Sequence, residues 1–134
     1  AMSAGVDGLI VSNTTVARPE TLQSAHKDEK GGLSGAPLRE MATQTVSDFY
    51  RITEGKLPLV GVGGVGTGAD AFEKIIAGAS LVQVYSLLSF SGPGTIVRLK
   101  EQLKGILREN GFASVEEAIG ARHRGFEWSH PGNE

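Results

Sequence analysis

Leu57-Pro58-Leu59-Val60-Gly61-Val62-Gly63-Gly64-Val65-Gly66-Thr67-Gly68-Ala69-Asp70 decides the fold. Its first half, Leu57–Gly64, is an apolar run of strand length without polar alternation. That pattern suits a strand covered on both faces, as in a parallel sheet. In its second half Thr67 has N-cap chemistry and Asp70 stands at the capping-box spacing, so a helix starts here. The helix is expected to run to about Ala77, with Phe72, Ile75 and Ile76 inward, and to stop at Gly78.

The same alternation extends both ways. Upstream, Leu38, Met41, Ala42, Thr45, Val46 and Phe49 form one stripe of helical period, predicting a helix over 38–54 that stops at Gly55. Before it, Asp7–Asn13 reads as a short apolar strand. Residues 14–37 between them are polar and broken by Pro19, Gly31, Gly32, Gly35 and Pro37. A connection that long in a compact domain usually carries function; its charged run, His26–Lys30, is expected at the solvated edge. Downstream, Leu81–Tyr85 reads as a third strand. Pro93 opens a long helix with a stripe of Ile96, Leu99, Leu103, Ile106 and Leu107, ended by Gly111, and Val115–Ile119 is a short further turn. Strands alternating with helices predict an α/β fold on a parallel sheet, with no internal domain boundary.

Composition narrows the function classes. Glycine makes up 19 of 134 residues, about twice the usual share of ~7%. There is no cysteine, which excludes disulfides, thiolate catalysis and Cys-ligated metal. No apolar run approaches the ~20 residues of a membrane span, and no signal peptide is visible. A net charge of −2 with scattered cations gives no electrostatic case for nucleic acid. The segment from Phe126 lacks periodicity, and Trp128-Ser129-His130-Pro131 resembles the start of a streptavidin-binding tag. Residues 126–134 are therefore set apart from a unit spanning 1–125.

Three segments could carry chemistry. Gly61 to Gly68 holds five glycines between a strand and a helix, where bare amides and a helix N-terminus favour a phosphate. Gly61, Gly63 and Gly66 also satisfy G-x-G-x-x-G, but the acidic residue expected at the end of the next strand is absent from Val84-Tyr85-Ser86-Leu87, which weakens an NAD-binding Rossmann reading. Gly31-Gly32-Leu33-Ser34-Gly35 repeats the pattern of bare amides before a helix; a flexible loop tip explains it equally well. Ser12-Asn13-Thr14-Thr15 leaves the first strand, where it could form a polar turn or face a planar ligand. All three strands end in polar or glycine-rich residues at one sheet edge, where α/β folds bind ligands. His26, His123 and His130 show neither metal spacing nor a nucleophile partner. His123 is expected at a solvated terminus, and Glu116-Glu117 as capping charges.

Together these residues are similar to a known family. Asp7–Thr15, Gly31–Leu38, Gly61–Val65, Ala77–Tyr85 and Ala118–Gly120, in that order and spacing, resemble the dihydroorotate dehydrogenases, chiefly the quinone-dependent class 2 enzymes. The likeness runs from about Gly5 to Arg124. It implies a (β/α)8 barrel, an FMN cofactor, oxidation of dihydroorotate to orotate in pyrimidine biosynthesis, and onward transfer of electrons to ubiquinone. A barrel needs roughly 250 residues, so the resemblance implies its last three βα units. Strands six, seven and eight would be Val6–Ser12, Leu59–Gly64 and Leu81–Tyr85. It also implies residue roles. Ser12, Ser34, Gly35, Gly63, Gly64, Tyr85 and Ser86 would bind FMN, with Gly35, Gly64, Tyr85 and Ser86 chiefly at its phosphate. Asn13 and Thr14 would face orotate. Family members often carry threonine at the positions of Ser12 and Ser86; serine keeps the hydroxyl. The family's catalytic serine, its flavin-contacting lysine and its membrane-docking helices lie upstream of these motifs. The chain is thus expected to carry no catalytic base and to need the N-terminal part of the barrel. The family's class 2 members dock on the mitochondrial inner membrane or, in bacteria, the inner membrane; Gly31–Leu38 and Val65–Lys74 favour the former. A non-catalytic phosphate-binding half-barrel is the rival non-enzymatic reading.

Overall fold

A computed structural model of the chain describes residues 2–20 and 22–132. Three parallel strands, β1 (Leu9–Val11), β2 (Leu59–Val62) and β3 (Leu81–Gln83), form a sheet in sequence order. Leu9 pairs with Leu59 and Val60 with Leu81, so the strands leave the sheet at the same edge. Helices α1 (Arg39–Ile52) and α2 (Gly68–Ala77) link the strands, and α3 (Ser86–Ser91), α4 (Gly94–Glu109) and α5 (Val115–Ala118) follow them. The expected order holds, with shorter strands than expected. The short helix α3 and three 3-10 turns, Met2–Ala4, Ala36–Leu38 and Ala121–Arg124, were not expected.

Helix α2 sits at the centre. Nine of its ten residues are buried, and it packs on α1, α4 and the turn Ala121–Arg124. Its capping box forms as the spacing predicts: the Thr67 hydroxyl accepts the Asp70 amide, and the Asp70 carboxylate accepts the Thr67 amide. Phe72 and Ile76 are fully enclosed, each contributing about 1.5–3 kcal/mol by removal from water. Of the expected stripe, Leu38 just before α1 and Ala42 and Val46 on it are buried, whereas Met41 is 44% exposed. The two outer strands keep apolar side chains in solvent: Ile10 and Leu81 are each 66% exposed, and Leu59 on the middle strand is fully buried.

One expectation about the C-terminal region is corrected. The segment from Phe126 does not lie apart from the fold. Phe126 and Trp128 join Phe72 and Phe112 in a cluster of edge-on aromatic rings, with Trp128 5.0 Å from Phe72. Its last two residues, Asn133 and Glu134, lie outside the described residues. His123 is exposed, as expected, and its ring also stacks on Tyr50 at 4.9 Å with its Nε2 3.0 Å from the Ala77 carbonyl oxygen. The ring of Tyr50 in turn fills the space beside Gly78 and Gly120, where a Cβ would approach within 2.4 and 2.3 Å.

Candidate functional site

A cleft of about 960 Å³ opens at the sheet edge where the strands end, a size typical of small-molecule sites. Ser12, Asn13, Thr14, Ser34, Gly35, Gly63, Gly64, Tyr85 and Ser86 all line it. The loop from β1 brings the first three, its return to α1 brings Ser34 and Gly35, the turn after β2 brings the glycines, and the start of α3 brings Tyr85 and Ser86. Asn13 accepts the Thr14 amide through Oδ1 at 2.8 Å, and its Nδ2 makes no hydrogen bond among the described residues; the polar turn expected as one alternative forms at Thr15, whose hydroxyl accepts the Ala17 amide at 3.1 Å. The Ser12 hydroxyl donates to the Asn13 carbonyl at 3.3 Å.

The turn after β2 has a geometry that only glycine supplies. Gly63 and Gly64 have φ of 109° and 71°. Gly64 presses on the start of α1, where a Cβ would come within 2.4 Å of the Arg39 Cα. This contact sets the two amide-bearing turns side by side. The amides of Gly35, Gly64 and Val65 bond to no described residue. With the Ser34 and Ser86 hydroxyls nearby, these donors fit a phosphate group and, beyond it, a planar ligand reaching Ser12 and Asn13.

The start of α2 is not the phosphate site that its glycines promised. The Gly66 and Thr67 amides donate to Asp70 Oδ2 at 3.0 and 2.7 Å, and the Gly68 amide donates to Gln102 Oε1 at 2.8 Å. An internal carboxylate already occupies the positive end of the helix. Burial pushes the Asp70 carboxyl upward, but the Thr67 hydroxyl, the Gly66 and Thr67 amides and His130 outweigh it and hold it below 3.8. Several glycines of the run serve packing instead. A Cβ at Gly68 would meet Gln102 Cβ at 2.4 Å, and one at Gly61 would meet Ala79 and Lys74 at 3.1 Å.

Residues that the sequence did not single out also border the cleft. Arg39 reaches Asp70 Oδ1 at 3.4 Å, and His130 reaches the same oxygen at 2.9 Å. His130 Nδ1 accepts the Gly132 amide at 3.0 Å, and its Nε2 faces Asp70. The aromatic docking of the C-terminal segment thus delivers a histidine to the cleft rim. Only the local spacing of Thr67 and Asp70 hinted at any of this.

The model of the dihydroorotate dehydrogenase family matches residues 1–107. The mitochondrial dihydroorotate dehydrogenase (quinone) of Mus musculus is 54% identical over 124 residues, covering 92% of this chain and 31% of that protein. The dihydroorotate dehydrogenase (quinone) of Rhodospirillum rubrum is 56% identical over 124 residues, covering 92% and 34%. The crystal structure of ligand-free DHODH from Eimeria tenella superposes with a TM-score of 0.88 at 48% identity, covering 92% of this chain and 34% of that one. The chain spans about a third of the length of the curated relatives it matches.

Proposed function

This chain belongs to the dihydroorotate dehydrogenase family, and on that premise we propose that it supplies the FMN phosphate site and part of the orotate site of a quinone-linked enzyme. Its fold is α/β, three βα units of a (β/α)8 barrel. The observation that carries the reading is the single cleft onto which three strand ends and the return of the long loop bring all nine candidate residues.

Bound FMN would supply the redox chemistry, accepting a hydride from dihydroorotate. The residues of this chain bind and orient. Gly35, Gly64, Tyr85 and Ser86 hold the phosphate end, with Ser34 and Gly63 shaping the same turns. Ser12 stands where the flavin ring would lie. Asn13 Nδ2 and the Thr14 hydroxyl face the substrate. The base that removes the substrate proton comes from the N-terminal part of the barrel, so this chain alone does not turn over. That part is also the partner expected to cover the exposed Ile10 and Leu81 on the outer strands and to carry the route to ubiquinone. No helix among the described residues is long and apolar enough to cross a membrane. Peripheral attachment to the mitochondrial inner membrane belongs to this reading, with the bacterial inner membrane as its alternative. Residues 126–134 are the tail that follows the unit spanning 1–125, and its Phe126, Trp128 and His130 dock on that unit. A Rossmann reading is disfavoured because the amides it would turn to a pyrophosphate are bonded to Asp70 and Gln102.

The test joins this chain to an N-terminal barrel portion, its own or a relative's, and follows flavin absorbance and dihydroorotate-dependent quinone reduction. Flavin retention with turnover supports the reading; neither flavin nor turnover in a folded, joined barrel rejects it. Within that protein, Asn13→Ala removes a hydrogen bond to a charged substrate and should lower kcat/KM for dihydroorotate by about tenfold to a hundredfold. Unchanged kinetics would remove Asn13 from the substrate site.

A further inference from the structure

We infer that Arg18 is a positioning residue that clamps the two arms of the long loop, so that Asn13 and Thr14 on one arm and Ser34 and Gly35 on the other meet at one cleft; the inference rests on the function proposed above. The guanidinium of Arg18 lies between the arms. Its Nε donates to the Lys27 carbonyl at 2.8 Å, and its Nη2 donates to the Glu29 and Gly31 carbonyls at 2.8 and 2.9 Å, all on the returning arm. Its Nη1 is shared among the Thr15, Val16 and Ala17 carbonyls of the outgoing arm at 3.4, 3.1 and 3.1 Å. One side chain thus uses all five of its N–H donors on main-chain oxygens. Among the described ion pairs none involves Arg18. Its fork is therefore spent on backbone shape.

Little else among the described residues holds this loop. Residues 23–32 are exposed and bring no apolar anchor. Next to the clamp the arms touch through one antiparallel bridge, with Thr15 and Leu33 exchanging amide-to-carbonyl bonds of 3.1 and 2.7 Å. Beside that bridge Gly32 lies so close to Thr14 that a Cβ would fall 2.0 Å from its hydroxyl oxygen. The position of Thr14 is thus set by the returning arm, and the returning arm is tied by Arg18. Lysine cannot replace this fork, because its three donors radiate from one nitrogen.

The experiment uses the joined, flavin-loaded barrel. In Arg18→Met the KM for dihydroorotate should rise by about tenfold or more, since small misplacements of binding groups are costly. In the same protein kcat per bound flavin should change by less than about threefold, while flavin is held more weakly, because Ser34 and Gly35 sit on the returning arm whereas Gly64 and Ser86 do not. Arg18→Lys should recover only part of the KM. An unchanged KM in Arg18→Met overturns the inference. Amide hydrogen exchange at Thr15 and Leu33 in Arg18→Lys gives a reading independent of turnover. Exchange faster by about tenfold supports the clamp, and wild-type protection overturns it even where Arg18→Met fails to fold. If the unaltered barrel shows no dihydroorotate oxidation, the proposed function fails while the exchange measurement still decides the clamp.

Discussion

Gly64→Ala should abolish flavin retention in the joined barrel and lower its stability by several kcal/mol. Two costs add. The residue sits at φ 71°, a left-handed conformation that costs an alanine about 1–2 kcal/mol. The new methyl would also lie 2.4 Å from the Arg39 Cα and 2.5 Å from the Arg39 nitrogen. Those are backbone atoms at the start of α1, so no side chain can swing aside. Relief requires the turn after β2 to move away from α1, as overpacking at about 1–3 kcal/mol does. That movement separates the Gly64 and Val65 amides from Gly35, the juxtaposition on which the phosphate site depends. Gly105→Ala is the control. Gly105 lies inside α4 with no atom within 4 Å of a Cβ, so alanine there should gain about 0.5–1 kcal/mol and leave flavin untouched. Thermal midpoints and flavin content check both variants. A Gly64→Ala protein with wild-type midpoint and flavin would mean that the two turns are not held together as described.

What the chain declares about itself is local. Thr67 and Asp70 announce a cap because a cap is a three-residue affair, and it forms as read. Ser12–Thr14 and Gly63–Gly64 were visible as strand endings, and parallel strands leaving one edge suffice to bring them together. The partners of α2's first amides were not legible in full, because Gln102 lies 34 positions from Gly68. Glycine richness there suggested an anion, whereas Gly68 is needed where α4 closes on α2, and Gly61 where Lys74 and Ala79 close on the middle strand. Arg18 left no trace in the sequence for a related reason: its acceptors are carbonyls, which every residue has. Helix α3 escaped notice because its apolar residues do not form a buried stripe; Phe90 is 88% exposed. The C-terminal aromatics escaped because Phe126 and Trp128 follow no helical period and reach the core through contacts with Phe72 and Phe112.

Lys74→Met should make the barrel more stable at pH 7, by roughly 2–3 kcal/mol, and the gain should vanish toward pH 10.5. Lys74 is fully buried on α2, with its ammonium 3.0 Å from the Thr43 hydroxyl oxygen and 3.5 Å from the Arg39 carbonyl oxygen. Burial, with Arg39 nearby, outweighs the pull of Glu73 and Asp70 and lowers its pKa from 10.5 to about 8. The sign follows from proton counting. Between about pH 8 and 10.5 the unfolded chain holds a proton on this lysine that the folded chain has released, so stability rises with pH across that window. Below it both states are charged and the folded state bears the whole cost of enclosing the ion. Methionine fills a similar volume without that cost. The Thr43 hydroxyl keeps its bond to the Arg39 carbonyl at 2.9 Å, while the buried Glu73 and Asp70 lose a neighbouring cation, which trims the gain. Denaturant midpoints of the two proteins from pH 7 to 10.5 should therefore converge from opposite sides: a rising curve for lysine and, at this site, no added slope for methionine. A methionine variant less stable at pH 7, or two parallel curves, would show that the contacts to Thr43 and Arg39 more than offset the burial of the charge.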